Sequence, residues 1–155
     1  MFTVPIEPVA QGRARVTVVG GHARLYTPAK TRRFHEDIAQ YAKGALGVAR
    51  FCCPLRVDVL AVLRRPKRLQ RKKDEGGIIW NDGTRPDTDN IRKAVLDGLS
   101  AHFDDKFVVA GDTLKTYGDK KKEGHLIIRI TDKVGEVEQW CAAYFGEEEN
   151  DEPRR

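Results

Sequence analysis

Apolar and polar positions change period along the 155 residues, and those changes outline the elements. Residues 3–9 hold prolines among apolar positions and predict a short edge strand, because proline cannot donate to a sheet ladder. The next stretch, AQGRAR, is a turn carrying Arg13 and Arg15. Arg15–Val19 and His22–Tyr26 flank Gly20-Gly21, the pattern of a two-residue hairpin. Thr27-Pro28 ends the extended run. Over 31–46 the residues Phe34, Ile38, Tyr41 and Leu46 fall near helical spacing, with Gly47 as a stop. Leu55–Leu63, rich in valine and leucine, predicts a central strand.

Residues 64–85 lack a clean period and contain Gly76-Gly77 and Asn81-Asp82-Gly83. They predict a long loop with a short hairpin around 78–80, and a loop of that length is usually functional or disordered. Helical spacing returns at 89–101, where Ile91, Ala94, Val95, Gly98 and Leu99 form an apolar stripe and Asp87 or Thr88 can cap. Two strands follow, 107–117 and His125–Thr131, joined by the basic turn GDKKKEG. A short helix over 139–145 precedes an acidic tail expected to be disordered. Strands and helices mix without regular alternation, which predicts an α+β fold. A single domain over 1–135 would pack a mixed β-sheet against two main helices, with 136–155 as a C-terminal extension.

Forty per cent hydrophobic and 33% charged residues give the balance of one globular domain. No apolar run approaches the roughly 20 residues that span a bilayer, and MFTVPIEPVAQGR lacks the order of a signal peptide. A cytoplasmic protein without membrane contact is expected. Cys52 and Cys53 are neighbours and Cys141 is remote, so paired disulfides are not suggested and buried or half-buried thiols are expected.

Charge changes the picture. Net charge is +5, and the tail 147–155 has five acids against two bases, so the rest of the chain is near +8. Seven of the ten residues 64–73 are basic: Arg64, Arg65, Lys67, Arg68, Arg71, Lys72 and Lys73. Such a block is either a solvated surface run or an arm that binds a polyanion by releasing its counterions.

The same third of the chain holds the acids. Asp87 and Asp89 stand two apart where Pro86 favours extended backbone and a helix begins; in an extended segment such a pair points to one side. Hard cations take oxygen ligands, and a helix N-terminus favours anions. Asp89, Lys93 and Asp97 recur every four residues on one helical face, so an ammonium lies one turn from the acids. Asp104-Asp105 can supply a further ligand. Each feature alone has a plain reading, as cap, surface ion pair or turn. Together, acids for a metal amid bases for a phosphate backbone are what phosphodiester hydrolysis needs.

PDTDNIRKAVLDGL followed by FDDKFVV resembles the signature of the RusA family of Holliday junction resolvases, many carried by prophages. PVAQGRARV and YTPAKTRRF resemble the opening of phage-type members, and the likeness covers about residues 3–131. It implies that Asp87, Asp89 and Asp105 are catalytic carboxylates holding Mg²⁺, with Mn²⁺ as a substitute. It implies that Lys93 is the catalytic lysine and that Asp97 is a supporting acid. It also implies an α+β fold and a homodimer that cuts two strands of a branched four-way DNA junction symmetrically, leaving 5′-phosphates. Arg13, Arg15 and the bases of 64–73 would grip the DNA. Lys106-Phe107 and the short link LSAHF depart from the family pattern. His102, within that link, either touches substrate or metal or is an exposed turn residue. The rival readings are a protein that binds branched DNA without cutting it and a nuclease preferring forks or flaps.

Overall fold

Alternation in one strand organises the fold. Of Leu55–Leu63, the residues Leu55, Val57, Val59 and Ala61 are buried while Arg56, Asp58 and Leu60 are only half-buried. The computed structural model describes residues 1–70, 78–81, 83, 85–132 and 135. In chain order these form β1 (Phe2–Val4), β2 (Arg15–Val19), β3 (His22–Tyr26), α1 (Ala29–Leu46), β4 (Leu55–Leu63), α2 (Lys67–Gln70), β5 (Ile79–Trp80) and α3 (Thr88–Gly98). A 3-10 turn, Asp105–Phe107, leads into β6 (Val108–Ala110), β7 (Thr113–Tyr117) and β8 (His125–Thr131). The α+β architecture with a mixed sheet against two main helices is as the sequence predicts.

The main sheet has the order β1-β8-β4-β7-β5, with β6 also on β4. On one side β4 pairs antiparallel with β8, and on the other it runs parallel to β6 and then β7. Among the described residues, helices cover one face. There Phe34, Ile38 and Ala42 of α1 pack with Ile91, Ala94 and Val95 of α3, and with Val57, Val59, Leu126 and Ile128 of the sheet. The helices approach closely because Gly98 has no side chain: a Cβ there would lie 2.9 Å from Ile38.

Several boundaries differ from expectation, each for a local reason. β1 stops at Val4, before Pro5. α1 starts at Ala29, directly after Pro28. α3 ends at Gly98, where the chain leaves the helix to seat His102 and Phe103 in the core. The strand expected over 107–117 is two strands. At Gly111, φ is +139° and a Cβ would stand 1.9 Å from the Val57 carbonyl oxygen, so the chain breaks between the two strands where it presses against β4. The expected loop 64–85 contains α2 and β5, and β5 pairs with β7. Cys52 and Cys53 are exposed free thiols, not buried ones, since they precede β4 in surface chain. Arg71, Lys72, Lys73, Cys141, the helix expected over 139–145 and the acidic tail lie outside the described residues.

Candidate active site

Asp87 occupies the N-cap of α3 with extended backbone (φ −76°, ψ 147°), and Asp89 lies in the first helical turn. The two acids therefore straddle a switch from extended to helical chain, and the alternation rule of a strand does not join them. Asp87 makes no side-chain capping bond. Its carboxylate stays exposed, as does that of Asp89, at the helix end whose dipole favours negative charge.

Two cationic side chains absent from the sequence reasoning hold this segment on the sheet. Arg92 donates from Nη1 to the Val57 carbonyl at 2.9 Å and from Nη2 to the Ala110 carbonyl at 3.3 Å. Lys115 Nζ donates to the Pro86 carbonyl at 3.2 Å. No periodicity marks either role, because both depend on how β4, β6 and β7 lie beside α3.

The neighbouring acids of the second cluster are not equivalent. Asp104 caps the 3-10 turn: its Oδ1 accepts from the Lys106 backbone N–H at 3.2 Å and its Oδ2 meets Lys106 Nζ at 3.2 Å. Those hydrogen bonds hold its carboxyl below the usual range. The Asp105 carboxylate receives no hydrogen bond or ion pair among the described residues; only its backbone carbonyl accepts, from the Val108 N–H. Partial burial raises its carboxyl, the charges of Asp97 and Asp104 raise it further, and Lys93 opposes them. The fold thus couples Asp105 to Asp97 and Lys93 on α3. Among the described residues no three His, Cys, Asp or Glu side chains form a ready metal cage, so Asp87, Asp89 and Asp105 are not drawn into a closed triad.

The basic residues also divide. Arg13 is exposed and lines a cleft with Asp87, while Arg15 is exposed on β2. Arg64 pairs with Glu123 at 3.1 Å, and Lys67 and Arg68 are exposed on α2. Arg65 is 7% exposed and donates from Nε to the Gly118 carbonyl at 3.0 Å, which places it in packing and not on an open surface. His102 is buried, not exposed: its Nδ1 lies 3.0 Å from the Ala49 carbonyl oxygen, and its own carbonyl accepts from the Phe51 N–H at 2.7 Å. It braces the 49–51 segment against the end of α3.

Among the described residues no helix is long and apolar enough to cross a membrane. The family model for endodeoxyribonuclease RusA matches residues 5–131. An uncharacterized protein of Bacillus subtilis strain 168, YqaN, is 32% identical over 137 residues, spanning 84% of this chain and 96% of the relative. The matched span takes in β2 through β8, with the acids of α3, Lys93 and the Asp104-Asp105 pair inside it. The chain belongs to the RusA family of endodeoxyribonucleases.

Proposed function

We propose that this protein is a Mg²⁺-dependent endonuclease that resolves four-way DNA junctions as a homodimer. One observation carries the assignment of its centre: the Asp104 carboxylate is engaged in capping, while that of Asp105 has no hydrogen-bond or ion-pair partner among the described residues and feels the charges of Asp97 and Lys93 on the acidic helix.

The donor set suits a hard cation. Every candidate ligand is a carboxylate, and Mg²⁺ commonly takes one or two protein carboxylates and completes its shell with water and phosphate oxygen. Asp87, Asp89 and Asp105 would hold the ion, which when bound supplies a polarised phosphodiester and an activated water. The chain does the rest. Lys93, one helical turn from Asp89, places an ammonium where negative charge builds on the phosphate. Arg92 and Lys115 keep the two acid-bearing segments in register with each other. Cutting two strands symmetrically needs two such centres, which a twofold dimer provides through one self-complementary interface.

Cleavage of synthetic four-way junction, fork and linear duplex, each with Mg²⁺ or Mn²⁺, tests the reading. Paired cuts in the junction, faster than cuts in the other two, are expected. Faster cutting of the fork reassigns the substrate. Binding without any cut under either metal overturns the nuclease.

A further inference from the structure

Arg13, Lys30 and Arg85 come from three separate segments, yet all three line one cleft of about 770 Å³ whose wall includes Asp87 and Asn90. Each is exposed, and no ion pair engages any of them among the described residues. Three cations facing a single carboxylate leave local positive excess, and a concave surface concentrates such a field. Pro8, Val9 and Pro86 give the same cleft an apolar wall. Its volume is in the range that takes a small organic ligand, about 300–1,000 Å³, so there is room for more than a bare phosphate.

The positive surface continues. Lys30 also lines a second groove of about 430 Å³ on α1, with Arg32, Arg33 and Glu36. Arg32 is turned toward Glu36, at 3.8 Å, which leaves Arg33 as the next cation along the helix with no ion pair among the described residues. A track of positive charge therefore leads from Asp87 over Lys30 toward Arg33.

We propose that this cleft holds the nucleotide adjoining the cut, with Arg13, Lys30 and Arg85 on its non-scissile phosphate. The strand then continues over the first turns of α1. Lys30 and Arg85 become DNA ligands, and the cleft fixes which phosphate reaches the acids. The assignment rests on the nuclease reading for the identity of the cut phosphate, but not for binding.

Salt dependence of binding to a four-way junction is the test, with Ca²⁺ replacing Mg²⁺ so that no strand is cut. Each lost phosphate contact makes the slope of log K against log salt shallower by about 0.9. The full-length Lys30→Ala/Arg85→Ala variant should have a slope shallower by about 1.8 with an unchanged melting temperature, and Lys30→Arg/Arg85→Lys should restore it. If the double variant melts early, Lys30→Gln and Arg85→Gln singly should each give about half the effect. An unchanged slope in folded variants overturns the cleft. Wild-type protein that binds but never cuts in Mg²⁺ or Mn²⁺ removes the nuclease reading instead, and the slopes still decide the cleft.

Discussion

Arg92 Nη1 donates to the Val57 carbonyl at 2.9 Å, which fastens the helix bearing Asp89, Lys93 and Asp97 to the central strand. The same guanidinium reaches Ala110, five residues beyond Asp105, so one side chain sets both acidic segments. Arg92→Ala should cost about 1.5–3 kcal/mol of stability, the range for hydrogen bonds to charged groups. Single-turnover cleavage should slow while junction binding changes little. Arg92→Lys should not recover the rate, because an ammonium cannot span two carbonyls as a planar fork does. A variant with wild-type stability and rate would show that the tether is idle.

Asp58 anchors the sheet face opposite α1 and α3. Its carboxylate accepts from the Asp112 N–H at 2.9 Å, from Arg56 Nε at 3.0 Å and from Arg129 Nη2 at 2.6 Å. Burial raises its carboxyl, but these donors outweigh burial and hold it below the ordinary value of 3.8. A carboxyl lowered by folding contributes stability that is complete above the unfolded value and is lost as pH falls through the folded one. Asp58→Asn should therefore melt earlier than wild type by a constant margin from about pH 5 to 8, narrowing below about pH 4. Chemical denaturation across that range is the measurement, and a margin that widens in acid would contradict it.

Gly111 separates β6 from β7 at φ +139°, with the Val57 oxygen where a Cβ would sit. Gly111→Ala should lose on the order of 3 kcal/mol or fail to fold, since backbone must move on both strands. A soluble variant that melts like wild type would mean the break is not required.

His102 should matter for stability and not for chemistry. It is buried against Ala49 and Phe51, and it lines none of the clefts described above. His102→Ala should lower the melting temperature by several degrees, for a loss of about 1–3 kcal/mol from the void left by the buried ring and the lost hydrogen bond to Ala49. Cleavage per folded molecule should be preserved; a variant that melts normally but cuts slowly would return His102 to the active centre.

Local pattern foretold much of this fold. The hairpin Arg15–Val19 with His22–Tyr26, and the strand Leu55–Leu63, have the bounds that alternation and the two glycines predict. The acids were legible because Asp87, Asp89, Lys93 and the Asp104-Asp105 pair are close in sequence. What the sequence hid depends on distant partners. β5 finds β7 across 37 residues, from Ile79 to Thr116. Arg65, within a run that reads as solvated charge, is buried because the Gly118 carbonyl lies within reach. Lys30 and Arg85 share a cleft only because α1 and α3 pack side by side. The distinction between Asp104 and Asp105 likewise needed the turn that Asp104 caps.

That distinction is the most direct point of attack. Single-turnover cleavage of a four-way junction in Mg²⁺ should be compared for wild type, Asp105→Asn and Asp104→Asn. Asp105→Asn is expected to lose on the order of a hundredfold in rate, equal to about 2.7 kcal/mol of barrier, while still binding the junction. Asp104→Asn should keep most of the wild-type rate and lose only turn stability. Normal cutting by Asp105→Asn, with Asp104→Asn inactive, would contradict the acidic centre assigned to this protein.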